Sequence, residues 1–430
     1  MGGDVTGAKT TNYASALDPT WPPVPPPEGT AARLLEYLIR YKSDPFFKAL
    51  RLFGNVKLPK GGPVFVTRFR DVIEVLDRPE VFTVKPYAPM MDPTLGPFML
   101  DRDGTVFNER DKGIMRASMG RQDLPLIREM VRDLTEKCID EHQEDGLLEV
   151  VNSVSRRVAV LLIGEYFGFP GPDLESMFRW SRATQHDMFH NQAMSGTVHD
   201  DNIREGAAMR AYVKDELLPA RRKELETDAS ADDVVARLLK TSFPESIGFD
   251  ETRLVTSIMG ILIGGVETTS AAIVQLLDQL LIRPKELAGA ISAAKANDDM
   301  LLFQYCWEAL RFNPVNPLVT RSCAKNYRIA SGTMRNTLIE KNRIVFACTR
   351  SAMMDPRELP KPREFRTDRP REHYMHLGYG SHTCLGDQVS WVVVPGVIKQ
   401  LILRPEIRRL GDINMDGGPF PEQYHISFKA

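Results

Sequence analysis

The chain is poor in cysteine and has no excess of either charge, and each shortage removes a class of function. Its five cysteines (Cys138, Cys306, Cys323, Cys348 and Cys384) are scattered over 430 residues with no Cys-x-x-Cys pair. That argues against a zinc ribbon, an iron–sulfur cluster or a disulfide framework, and reduced thiols are expected. With 55 basic against 57 acidic residues and a formal charge of −2, nothing global draws the chain to nucleic acid or an anionic membrane. No stretch reaches the roughly 20 uninterrupted apolar residues of a membrane span, and the N-terminus lacks a charged start followed by an apolar signal stretch. A cytoplasmic protein is expected.

What is present is apolar content of 43%, enough to bury a large core and enclose a cavity. Residues 1–27 are mostly small and polar and then proline-rich from Asp18 to Pro27, which reads as an extended lead rather than core. No comparable linker or repeat follows, so 28–430 is expected to be one domain. Helical spacing covers Gly29–Tyr41, and a β-rich Pro63–Thr67 precedes a helix over Arg70–Leu76. Thr83–Asp103, with Pro86, Pro89, Pro93 and Pro97, reads as a long loop. Further helices are expected over Pro125–His142, Val150–Phe167, Asp173–His190 and Asp200–Thr227. Arg253–Leu281 then reads as one continuous helix of about 43 Å, ended by Arg283-Pro284. Helices over Lys285–Lys295 and Asp299–Phe312 precede strands at Tyr327–Ile329 and Arg343–Ala347. A meander follows over Asp355–His373, then an apolar helical run from Val389 to Leu403 and a last strand over Tyr424–Phe428. The class is mainly α with a small β region.

Two constellations carry chemistry. From Leu377 to Gly386 the chain reads Leu-Gly-Tyr-Gly-Ser-His-Thr-Cys-Leu-Gly. Glycines at 378, 380 and 386 let a flat macrocycle lie against the main chain, and a helix starting near Leu385 would stabilise a Cys384 thiolate bound to metal. The plainer alternative is a buried cysteine in a turn. Inside the long helix, Gly264-Gly265-Val266-Glu267-Thr268-Thr269 is unfavourable, each glycine costing about 1 kcal/mol against alanine. Such a sequence opens a groove beside a carboxylate and a hydroxyl, with Thr268 able to bond back to a carbonyl and bend the helix. Its alternative is a tight helix crossing over Gly264-Gly265 with Glu267 in a salt bridge. Glu308 and Arg311 stand three apart on one helix face, an ordinary pair unless an arginine of the meander joins them.

Taken together, and in this order along most of the chain, these residues resemble the cytochrome P-450 haem-thiolate monooxygenases. That family's ligand loop, Phe-Gly-x-Gly-x-(His/Arg)-x-Cys-x-Gly, is matched from Gly378 to Gly386, its oxygen-binding helix motif by Gly264–Thr269, and its Glu-x-x-Arg by Glu308 and Arg311. The resemblance implies haem b between the long helix and the loop, with Cys384 as axial thiolate and His382 and Arg321 on the propionates. Arg369 would complete the structural Glu308–Arg311 cluster. Thr268 and Glu267 would deliver protons to bound oxygen, Glu267 feeding them from solvent. The loop's opening phenylalanine is replaced by Leu377. Where bacterial members carry His-x-x-x-Arg toward the propionates, this chain has Asn108 and Lys112.

By the same resemblance, Phe98, Leu100, Met188, Phe189, Ile261, Gly264, Leu318, Val319 and Phe420 would line an apolar substrate pocket. His186 and His190 stand four apart, but no third ligand is spaced to join them, and they are read as roof or surface histidines. The implied reaction hydroxylates or epoxidises a small apolar molecule with O2. No flavin- or ferredoxin-like segment is fused, so a separate ferredoxin or flavodoxin with its reductase would supply electrons. A peroxide-driven peroxygenase and a non-enzymatic haem sensor or carrier are the alternatives. The paired Glu267 and Thr268 favour oxygen activation over both.

Overall fold

In the computed structural model, which describes residues 34–35, 37–39, 42–59, 61–104, 107–191, 194–416 and 418–429, helical spacing in the middle of the chain becomes a stack of helices. Leu124–His142, Arg156–Glu165, Leu174–Gln185 and Gly196–Tyr212 follow the expected segments. Wider π turns interrupt three of them, at Val151–Ser155, His186–His190 and Val213–Leu217, and the last segment resumes as Leu218–Thr227. Several aspartates that punctuate the sequence are N-caps: Asp173, Asp233, Asp250 and Asp298 accept the N–H of the residue three further on, satisfying a donor that the first helical turn leaves free. The proline-rich lead and the start of the Gly29–Tyr41 segment lie outside the described residues.

Two expectations are corrected. Thr83–Asp103 is not all loop: Ala88–Leu95 is a helix, and each of its eight residues is buried. Pro89 sits in its first turn, where a missing N–H costs nothing, and burial carries the helix past Pro93. The long helix is not continuous either. It breaks at Val266 into Glu251–Gly265 and Glu267–Leu281. By length and composition Glu251–Leu281 could cross a membrane, but 72% of its most apolar window is buried inside the protein. Its first half packs on Arg156–Glu165 and Leu174–Gln185, its second on Asp299–Phe312 and on the C-terminal helix Asp387–Ile402. It is a core helix.

The β region is small. Five short strands run in the order Val56–Lys57, Val64–Val66, Ile344–Ala347, Val319–Cys323, Phe82–Thr83, with only the Val64–Val66 and Ile344–Ala347 pair parallel. Tyr327–Ile329 pairs with Thr337–Ile339. His425–Ser427, at the end of the chain, lies between Leu147–Glu149 and Arg408–Arg409. Apolar side chains form one large core among the helices and two smaller ones around the main sheet.

Candidate functional site: a cysteine loop and a broken helix

The cysteine loop is shaped by its glycines. Gly378 and Gly380 take φ of +77° and +67°, values that residues with a Cβ rarely adopt. A Cβ on Gly378 would also come within 3.0 Å of the His382 carbonyl oxygen. Gly386 needs no such freedom. It is the N-cap of Asp387–Ile402, so the helix starts two residues later than the expected Leu385. The loop closes on itself: the Cys384 N–H donates to the Leu377 carbonyl at 2.8 Å, and the Thr383 N–H to that of Gly380 at 3.1 Å. Burial pushes the Cys384 thiol up, opposed by the Gly386 N–H and by the charges of Lys112 and Arg116.

Cationic groups gather beside this loop. Lys112 Nζ donates to the Ser381 carbonyl at 2.8 Å and to that of Thr383. Burial, with Arg116 adding, pulls this ammonium down to about 8. His382 Nε2 pairs with Asp103 at 2.9 Å; its pKa is lowered, first by burial, with the bond to Asp103 opposing. Arg321 is 5% exposed, donates to the Thr320 carbonyl at 2.9 Å, and feels the charges of His382 and Asp103. No carboxylate among the described residues lies within ion-pair distance of it, an arrangement that costs free energy unless an anion sits close by. Asn108 instead holds the Met99 carbonyl at 2.8 Å.

The glycines of the broken helix do different jobs. Gly264 is exposed although Ile263 and Val266 on either side are buried, and a Cβ built on it would meet nothing within 4 Å. It opens onto a gap. A Cβ on Gly265 would press on Ile163 at 2.9 Å, so that glycine permits a close helix crossing. Thr268 is half-buried and its Oγ1 donates to the Gly264 carbonyl at 2.6 Å. Residues 382–391 are likewise all half-buried, though their helix packs against the second half of the broken one.

Glu267, read from the sequence as the residue that feeds protons to Thr268 from solvent, is held by an arginine. It is 1% exposed, its Oε2 accepts from Arg156 Nη2 at 3.1 Å, and its Oε1 lies 3.0 Å from Arg156 Nε without hydrogen-bond alignment. Burial raises its pKa, with Arg156 and Arg182 opposing. The groove and the salt bridge, alternatives on the sequence alone, are both present on different residues.

Glu308, Arg311 and Arg369 form a buried cluster. Glu308 accepts from Arg311 Nη2 and Nε at 2.7 and 2.8 Å, from Arg369 Nε at 3.2 Å, from the Arg366 N–H at 2.9 Å and from the Tyr374 hydroxyl at 3.1 Å. The two guanidinium groups spend their other donors on meander carbonyls, including Pro360, Lys361 and Pro362. This pins the segment that leads into the cysteine loop.

The family model described as Cytochrome P450 matches residues 120–404. The chain belongs to the cytochrome P450 family. A curated relative, the mycinamicin IV hydroxylase/epoxidase of Micromonospora griseorubida, is 24% identical over 365 residues, 83% of this chain and 86% of its own. The steroid C26-monooxygenase of Mycolicibacterium smegmatis is 24% identical over 384 residues, 87% of each chain. Among solved structures, cytochrome P450 CYP109Q5 from Chondromyces apiculatus matches 91% of this chain and 96% of its own, with a TM-score of 0.76 at 19% identity. The P450 fold is therefore mainly α with small sheets, and the protein is a haem-thiolate oxidoreductase of the monooxygenase class.

In this P450 the residues named for the pocket divide. Phe98 is buried against Gly260, whose Cβ would sit 2.4 Å from the ring. Leu318 belongs to the small core of Phe47, Phe65 and Phe346. Phe420 is fully buried with the rings of His190 and His186 at 4.9 and 6.3 Å. Met188 and Ile261 are nearly closed off, whereas Leu100, Phe189 and Val319 are half-buried. His186 and His190 pack on that phenylalanine, and no cluster of metal-ligating residues occurs among the described residues.

Sequence reasoning missed Asp103 and Arg156, partners of His382 and Glu267. Neither sits in a motif; each is separated from its partner by more than a hundred residues. It also missed Asp187, which is 1% exposed and is held by His199, Asn202 and Asn191 at 2.7, 2.8 and 2.7 Å. Asn202 donates to the Met90 carbonyl as well, tying Gly196–Tyr212 to the helix Ala88–Leu95.

Proposed function

We propose that this P450 activates O2 on haem b ligated by Cys384, with electrons from a separate ferredoxin or flavodoxin, and hydroxylates or epoxidises an apolar organic molecule. Residues 28–430 act as one catalytic domain, in the cytoplasm. The observation that carries the reading is the gap at Gly264 and Thr268, in the helix that packs on the helix following Cys384. The residues present fit the group: a thiol at the end of a glycine-turned loop, an opening on the broken helix, and a buried Arg321 with no carboxylate within ion-pair distance among the described residues, near His382. The Arg321, His382 and Lys112 groups would take the propionates. When bound, a haem with a thiolate ligand supplies O–O bond cleavage.

The chain's own part is to position and to move protons. Gly264 leaves open space where a side chain would stand, and Thr268 presents a hydroxyl that donates to the Gly264 carbonyl. Glu267 is the acid next to it, held by Arg156, so proton delivery requires the carboxylate to loosen that pair. One oxygen atom goes to the substrate and the other leaves as water. The named relatives are a mycinamicin IV hydroxylase/epoxidase and a steroid C26-monooxygenase, which supports an organic substrate and a hydroxylation or epoxidation here. The test is the ferrous–CO spectrum: the red-shifted Soret band of thiolate ligation is expected in the parent and absent in Cys384→Ser. The proposal fails if Cys384→Ser retains the band, or if peroxide alone supports turnover as well as O2 with a reduced partner.

A further inference from the structure

Away from the cysteine loop, a cleft of about 400 Å³ opens where the central helix, the helix Asp299–Phe312 and the meander meet. Arg283, Arg350 and Arg363 line it, with Asp44 as its one carboxylate. Three guanidinium groups against one carboxylate leave a formal excess of two positive charges. Asp44 is already engaged by Arg363, at 3.4 Å on the exposed rim. Arg283 and Arg350 have no ion-pair partner among the described residues. Arg283 donates to the backbone and side chain of Gln279 at 2.7 and 2.9 Å. Arg350 reaches the neutral Asn313 side chain at 3.3 Å, and its buried Nε has no hydrogen-bond partner.

Half-buried guanidinium groups without a counter-ion are costly, and a buried N–H left unbonded adds to the cost. Both are relieved by an anion that offers several acceptor oxygens and carries two charges. The arginine fork matches such an oxyanion with paired N–H groups, which a lysine could not do. We propose that this cleft binds a phosphate group, as the free dianion or as a phosphate monoester whose organic part extends through the open mouth. The site would also report on the fold. Arg283 and Arg311 both lie 4.5 Å from the centroid of Phe312, which stacks on Phe365 of the meander at 5.9 Å. Filling the cleft therefore steadies the ring on which a member of the Glu308 cluster rests.

The test uses the full-length haem-loaded protein, titrated with inorganic phosphate and with methyl phosphate at constant ionic strength balanced by chloride. Binding is read by calorimetry and by the melting temperature. A saturable response is expected in the parent, weakened about tenfold or more in Arg350→Gln, since a charge-assisted bond is lost. Arg363→Gln, on the surface, should weaken it less and serves if Arg350→Gln does not fold. Equal binding of the ester and the ion identifies a monoester site, and binding of the ion alone a free-phosphate site. A parent that responds no more to phosphate than to chloride, or an Arg350→Gln and Arg363→Gln pair that bind as the parent does, overturns the proposal and leaves an adventitious ion effect only.

Discussion

The hydroxyl of Thr268 donates to the carbonyl oxygen of Gly264 at 2.6 Å, across the break of the central helix at Val266. A threonine hydroxyl that bonds back one turn competes with the helical ladder and bends it. The same bond orients the oxygen lone pairs away from the Gly264 carbonyl. Thr268→Ala is expected to keep the substrate-induced spin shift but to lower product formed per electron severalfold, releasing hydrogen peroxide. Thr268→Ser should recover most of the coupling. Equal coupling in parent and Thr268→Ala would remove the hydroxyl from proton delivery.

Arg156→Met is expected to cost about 3–5 kcal/mol at neutral pH, because it strands Glu267 as a buried charge. The direction with pH follows from the raised pKa of Glu267. A buried acid of raised pKa favours the folded state while protonated and weighs against it as pH rises through the folded value. The deficit of Arg156→Met should therefore shrink on acidification, and a second change, Glu267→Gln, should remove most of it. Denaturant unfolding across pH measures both.

Glu308→Ala is expected to destabilise by about 3–5 kcal/mol, since it leaves Arg311 and Arg369 buried without a counter-charge. Haem content per chain should fall with it. Arg366→Ala, whose partly exposed side chain pairs with exposed Asp368 and with no other carboxylate among the described residues, is the control and should change stability by less than about 0.5 kcal/mol. Normal loading of Glu308→Ala would reduce the cluster to a dispensable pair.

The glycines of the central helix should separate cleanly. Gly264→Ala adds a methyl to open space and should stabilise the haem-free protein by up to about 1 kcal/mol, while slowing CO binding to the haem-loaded form. Gly260→Ala drives its methyl onto the Phe98 ring and should cost about 1–3 kcal/mol. Unfolding of the haem-free variants compares the two.

His199 gives a pH dependence of its own. Its bond to Asp187 raises its pKa, with burial opposing and Asp200 assisting. Stability from a protonated histidine is complete below its unfolded pKa of about 6.5 and is lost as pH rises through the higher folded value. The parent should thus lose melting temperature above that range relative to His199→Gln, with the difference between them disappearing at high pH. A difference that does not vary with pH would show that His199 holds Asp187 only as a neutral hydrogen-bond donor.

The sequence by itself determined the chemistry-bearing segments, because each is built from residues that are costly anywhere else. Glycines at positive φ around one cysteine, and glycines with threonines in the middle of an apolar helix, are local statements, readable without a partner. Most helices were legible for the same reason, since periodicity and aspartate caps act within a few residues. Tertiary structure alone decided what depends on distant neighbours. Burial made a helix of the proline-bearing Ala88–Leu95. Packing of Ile163 on Gly265 separated the two glycines into a crossing and a gap. The partners Asp103, Arg156 and Asp187 have no pattern to find, because an ion pair or hydrogen bond requires proximity in space and leaves no fixed spacing in the chain.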